Sequence, residues 1–283
     1  MREKKKFLAI SPITDGSMHQ GWLRGADPDF DLMLIYCVEG TREEEFRKDA
    51  QYFIKTSGMF KLENIAYAIS QFRDDVAAYE AVWLPDDDIT TDAQEINRLF
   101  SLFQHYNLNL AQPSLFWDKG SISFPITIQR KECILRYTNF VEMMAPLLKT
   151  KLLFRDDIFQ SFTTNRSGWG VDYLWPKILG FKDVAIMDSV GMYHKKDHYN
   201  ILGGDYYHLL ERNGVSAQHE FDDFIKQHGI DPTMKELSRI KKTGPWYGVQ
   251  KVLTAIKLKL SKHMCYFNYL RVKALRKLHL ATA

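Results

Sequence analysis

Ala81-Val82-Trp83-Leu84-Pro85-Asp86-Asp87-Asp88-Ile89-Thr90 reads as a buried strand that stops at a proline and delivers three adjacent carboxylates. Proline has no N–H to give a sheet ladder, so the strand ends there. Neighbouring negative charges repel, and two readings account for gathering them. One is a solvated strand-to-helix turn in which Asp87 or Asp88 favours a helix N-terminus. The other is a cation site. On an extended backbone Asp86 and Asp88 point to the same side, and their hard oxygens suit Mg²⁺ or Mn²⁺, which complete their shells with substrate phosphates.

The surroundings favour a layered α/β fold. Apolar and β-branched runs at 6–13, 30–37, 52–57, 79–84 and 183–194 predict strands. Helical spacing separates them at 41–50, 61–79 and 91–106, the last opened by Thr91 and Gln94 as a capping box. Alternating strands and helices predict a mixed, mostly parallel sheet flanked by helices, with ligands beyond the carboxyl ends of the strands. The aspartates fall there. Residues 109–165 read as irregular or antiparallel strands, and 205–240 as helical.

The 283 residues divide into an expected α/β domain over 1–200 and a helical C-terminal extension over 201–283. Three scattered cysteines, Cys37, Cys133 and Cys265, suit a reducing compartment and lack zinc spacing. The start, MREKKKFLAISPITDG, reads as a first strand and not a signal peptide. No apolar run approaches the ~20 residues of a membrane-spanning helix. A cytoplasmic protein is expected, peripheral on the inner face of a membrane if its tail binds lipid. From Ser238 onward there are 11 Lys or Arg and no acid, against 27 basic and 35 acidic residues before it. Within that tail, residues 246–280 form a basic amphipathic stretch. It would either lie on anionic lipid or dock on the core. No nucleic-acid motif is present.

Three further constellations bear on chemistry. Ser167-Gly168-Trp169-Gly170-Val171-Asp172 sets an acid behind two glycines and an indole. Trp169 offers a flat face to a sugar ring, Gly170 lets backbone approach, and Asp172 is a candidate general base or, equally, a helix cap. His194 closes the strand that begins near 183 and is a candidate third metal ligand beside Asp86 and Asp88, with a satisfied structural histidine as the alternative. Lys61 opens a helix after Ser57-Gly58 and is a candidate phosphate contact or a solvated surface lysine. An EF-hand is excluded, since Thr91 and Asn97 stand where its glycine and glutamate belong. Asp86-Asp87-Asp88-Ile89-Thr90 also fits the Asp-x-Asp-x-Thr motif of haloacid-dehalogenase-type phosphohydrolases, with Asp86 as nucleophile. Those enzymes carry it on the first strand, however, and the later acidic pair Asp222-Asp223 falls in an amphipathic helix.

YEAVWLPDDDI, LAQPSLFWD, FVEMMAPLL, GWGVDYLWP and VAIMDSVGMYH occur in the order of a family whose plant members are labelled "lysine-ketoglutarate reductase trans-splicing related". The chain resembles that family over about residues 6–195, and the family's pattern is similar to GT-A-fold glycosyltransferases. The resemblance implies a manganese- or magnesium-dependent enzyme of polysaccharide assembly. It would move a sugar from a nucleotide donor, expected to be UDP-linked, to a glycan or lipid-linked acceptor. Asp86 and Asp88, with His194, would hold the metal and diphosphate, and Asp172 would act as base. Glu142, Trp169 and Gly170 would meet the acceptor. Ser11, Thr14 and Asp15 would face the nucleotide, with Lys61, Asp86 and Asp87 also on the donor. The remaining alternative is a non-catalytic membrane-surface binding protein.

Overall fold

The computed structural model describes residues 4–118, 120, 122–194 and 205–242, together with 256, 259 and 260. Its strands are β1 (Phe7–Ile13), β2 (Phe30–Tyr36), β3 (Tyr52–Lys55), β4 (Ala81–Trp83) and β5 (Ile89–Thr90), then β6 (Leu110–Leu115), β7 (Cys133–Thr138), β8 (Leu147–Lys149), β9 (Val184–His194) and β10 (Glu236–Lys241). They join in the order β10-β7-β9-β6-β8-β4-β1-β2-β3, with β5 paired onto β9. Along that path only β7 and β8 run against the others. The mixed, mostly parallel sheet is the one expected.

Both faces of the sheet are covered, which explains why its central strands are apolar throughout and do not alternate. Every residue of β2 is buried. Phe7, Ala9 and Ile13 of β1 enter one core with Trp22, Trp83, Ile96 and Phe100. Leu8 and Ile10 enter the other with Ile65 and Ile69 of the helix Lys61–Gln71 and Trp175 of the helix Val171–Ile178.

Several boundaries differ from the sequence reading. The helical run over 61–79 breaks at Phe72 into Lys61–Gln71 and Arg73–Ala77. The N-cap of the next helix, Ala93–His105, is Asp92, whose carboxylate accepts from the Glu95 N–H at 2.9 Å, one residue beyond the expected Thr91. Over 205–240, helices occupy Asp205–Arg212 and Ala217–Gln227, but 236–241 is an edge strand. The expected helical extension therefore contributes to the main sheet. Its exposed edge carries mainly polar side chains, so its strand period left little apolar signal. The basic stretch 246–280 lies outside the described residues apart from 256, 259 and 260. Among the described residues, no helix is long and apolar enough to cross a membrane.

One irregularity shapes the end of β9. Pro113 pairs with Met187, but Ser114 pairs with Gly191, so Asp188, Ser189 and Val190 bulge from the ladder. Asp188 is anchored there by Arg136 of β7, with Nε–Oδ2 at 2.7 Å and Nη2–Oδ1 at 3.0 Å. Both residues are fully buried, and the guanidinium also donates to the Ile126 and Ile128 carbonyls. The sequence reading missed this pair. An arginine inside the apolar run Cys133–Thr138 was its only local sign.

Candidate metal and acid site

The aspartate loop is pinned at its backbone before any side chain acts. The Asp86 N–H donates to the Met144 carbonyl and the Met18 N–H to the Asp87 carbonyl, each at 2.7 Å. The Trp22 indole N–H donates to the Ile89 carbonyl at 2.7 Å, and that of Trp83 to Ala145 at 3.1 Å. With its geometry so fixed, the loop sends its three carboxylates to three different partners. Asp86 Oδ1 accepts from Lys61 Nζ at 2.6 Å. Asp87 Oδ2 accepts the Thr14 N–H at 2.8 Å and its hydroxyl at 2.9 Å. Asp88 Oδ1 lies 3.1 Å from His194 Nε2.

Asp86, Asp88 and His194 each offer one ligand atom, and the three atoms lie within 4.8 Å of one another. Register explains the convergence, because Ile89 of β5 pairs with His194 of β9 and so carries Asp88 to the histidine. Asp88 Oδ1 is buried and has no hydrogen-bond partner among the described residues, with the His194 ring nitrogen 3.1 Å away as an ion-pair neighbour. A desolvated carboxylate oxygen without a donor is costly. A divalent cation bound by the three groups would remove that cost, so the donor set fits one.

A second acid stands on the neighbouring loop. Gly168 (φ 74°) and Gly170 (φ 96°) adopt left-handed backbone that only glycine enters cheaply, and their turn starts the helix Val171–Ile178. Asp172 sits in its first turn, buried, with Oδ1 accepting the Met143 N–H at 2.6 Å. Burial pushes its carboxyl up to about 6, against the opposing pull of those backbone donors and the Lys61 charge. Such a carboxyl gains and loses a proton near neutrality, as a general base must. Glu142 is buried in the same loop, its N–H on the Gln112 amide oxygen. Trp169 is half-buried against Phe60, Leu210 and Ala217 and meets Phe221 edge-on. The indole expected to face sugar thus packs on the C-terminal helices. Those helices dock through Glu220 as well, which accepts the Ser167 N–H at 2.7 Å.

Other expected donor contacts are used within the protein. Ser11 has no exposed surface, and its hydroxyl donates to the Pro85 carbonyl at 3.0 Å, so it does not face a ligand. Asp15 accepts from the Thr41 N–H and hydroxyl, the Arg42 N–H and the Tyr36 hydroxyl. The Thr41 N–H and then the Tyr36 hydroxyl hold its carboxyl below the usual range. Thr14 is committed to Asp87, whose carboxyl burial pushes up to about 6. Lys61 is neither a solvated lysine nor a free phosphate donor. Its ammonium gives its three protons to Asp86, to Met143 O at 2.6 Å and to Met144 O at 3.2 Å. Asp222 and Asp223 are exposed, with Asp222 bonded to Gln218 one turn earlier, so the second acidic pair of a phosphohydrolase does not join Asp86. Two surface hollows, one lined by Asn109, Lys151 and Arg155 and one by Glu80, Gln104 and Lys149, lie at the amino ends of β4 and β6, away from the aspartates.

No family model matches the chain and no curated protein does, so the plant-labelled family rests on its quoted blocks alone. A solved structure does share the fold. Residues 1–349 of S. aureus TarS, in complex with UDP-GlcNAc, align at 12% identity over 79% of this chain and 72% of that one, with a TM-score of 0.51. A candidate nucleotide-diphospho-sugar transferase from Desulfovibrio desulfuricans G20 aligns at 14% identity over 79% and 98%, TM-score 0.39. Glucosyl-3-phosphoglycerate synthase from Mycobacterium tuberculosis, with Mg²⁺ and UDP, aligns at 13% over 75% and 80%, TM-score 0.44. At 12% identity the likeness to TarS concerns the fold alone, a GT-A-like mixed sheet flanked by helices.

Proposed function

We propose that the chain is a metal-dependent glycosyltransferase that moves a sugar from a nucleotide-sugar donor, UDP-linked by preference, to a hydroxyl of a glycan or lipid-linked acceptor. The observation that carries this reading is the convergence of Asp86, Asp88 and His194 on a buried, unsatisfied Asp88 oxygen at the carboxyl end of the sheet. Nucleotide sugars bind at that end in folds of this type. Two carboxylates with one imidazole suit Mn²⁺ better than Mg²⁺, which prefers oxygen alone. The cation would neutralise charge developing on the departing diphosphate. Asp172 would take the proton from the acceptor hydroxyl, and a single base of this kind implies inversion at the anomeric carbon. Glu142 would meet sugar hydroxyls nearby. Residues 246–280 would bring the enzyme to an anionic membrane surface holding its acceptor.

A thermal-shift panel tests the reading. UDP or GDP with Mn²⁺ should raise the Tm, neither alone should do so to the same extent, and Asp88→Ala should abolish the combined effect. Asp172→Asn should keep that nucleotide response and lose transfer by roughly 10²- to 10⁴-fold. Hydrolysis of an aryl phosphate that disappears in Asp86→Asn would overturn the proposal in favour of a phosphohydrolase. Stabilisation by no nucleotide under any metal condition would overturn it in favour of a binding protein.

A further inference from the structure

Lys61 sits between the two halves of the site. Its ammonium holds Asp86, at the end of the donor-side strand, and the Met143 carbonyl, on the loop beneath Asp172. The same Met143 residue turns its N–H to Asp172 Oδ1 at 2.6 Å. The path Asp86–Lys61–Met143–Asp172 therefore joins the candidate metal ligand to the candidate base through short charge-assisted contacts. Lys61 itself is fixed at the first position of the helix Lys61–Gln71, where Glu63 accepts the Phe60 N–H at 2.9 Å. Its side chain is only 22% exposed. With all three protons committed, it has none left for a ligand phosphate.

We propose that Lys61 is a positioning residue that locks the Met143 loop to Asp86 and thereby sets the seat and the charge environment of Asp172. Its catalytic consequence rests on the glycosyltransferase reading, while its effect on Asp172 does not. Lysine is suited to the task because one compact ammonium can bind a carboxylate and two carbonyls at once. An apolar side chain would take this donor from the Met143 carbonyl, while the Met144 carbonyl would keep the Asp86 N–H. The other groups that act on the Asp172 carboxyl are the Met143 N–H and backbone amides of its own turn, with the Tyr173 phenol adjacent and the buried Glu142 carboxyl next to Met143 on the facing loop.

The test follows the Asp172 carboxyl by ¹³C NMR in the full chain, its signal assigned by loss in Asp172→Asn. Lys61→Met should move the titration up by roughly half a unit or more, since an attracting cation is gone. Lys61→Arg should return it most of the way. UDP and Mn²⁺ affinities should fall together where Asp86 loosens, whereas loss of a direct phosphate contact would lower UDP affinity alone, tenfold for each ~1.4 kcal/mol. Should Lys61→Met not fold, Lys61→Gln replaces it, keeping an N–H donor without the charge. An unmoved Asp172 titration in a folded variant overturns the proposal. So does a tenfold or greater loss of UDP affinity with Mn²⁺ affinity, measured without nucleotide, unchanged, which would make Lys61 a phosphate ligand. If the wild-type chain binds neither UDP nor Mn²⁺, the glycosyltransferase reading fails, and the titration still decides the role of Lys61.

Discussion

His194 Nε2 lies 3.1 Å from Asp88 Oδ1, and the two meet because Ile89 and His194 are register partners between β5 and β9. The two-residue strand β5 is thus a positioning element for the candidate metal site. A one-residue slip would turn the histidine to the other face of the sheet.

If these groups bind a cation, Asp88→Ala and His194→Ala should each weaken Mn²⁺ binding by at least ~10-fold, since even outer-shell changes commonly cost that much. Isothermal titration without nucleotide measures it directly. Wild-type affinity in both variants would remove the cluster as a metal site.

Asp172 makes stability depend on pH with a definite sign. Its folded carboxyl is raised from 3.8 to about 6. Between those values the folded chain keeps a proton that the unfolded chain has released. Stability from this group is therefore complete below about pH 4, declines as pH rises towards 6 and is flat above, by roughly 3 kcal/mol at most. Asp172→Asn lacks the effect. Urea unfolding at intervals from pH 4 to 7 should show wild type losing stability relative to the variant, and parallel curves would contradict it.

The Arg136–Asp188 pair is buried at both ends. Replacing one partner strands the other charge and costs about 3–5 kcal/mol. Arg136→Met should lower the unfolding free energy by that amount in chemical denaturation. The bulge at Asp188–Val190 lies just before His194 on the same strand, so the variant should also bind Mn²⁺ more weakly at temperatures where it remains folded. A stable variant with unchanged Mn²⁺ affinity would separate the bulge from the site.

Gly170 has φ 96°, and a Cβ added there would approach Phe224 Cδ1 to 2.7 Å. Gly170→Ala should therefore strain the turn and push the helix Ala217–Gln227 away, at a cost of about 1–3 kcal/mol. Protease cleavage within 205–227 should accelerate in the variant, and wild-type resistance would show that the helix does not depend on this close contact.

By itself, the sequence determined the alternation of strands and helices, the end of β4 just before Pro85 and the candidate ligands Asp86, Asp88 and His194. Long apolar runs, a proline and a strand-terminal histidine are local signals that survive without contacts. It also placed Asp172 behind a glycine turn, since positive φ leaves glycine as its mark. Tertiary structure alone decided how the three aspartates divide. Thr14, Lys61 and His194 approach them from three other segments, and no local periodicity encodes which distant donor meets which carboxylate. The same holds for Arg136 on Asp188, for the Ser11 hydroxyl on the Pro85 carbonyl, and for the edge strand β10. Each depends on pairing between residues far apart in the chain, where burial removes water and a specific partner must replace it.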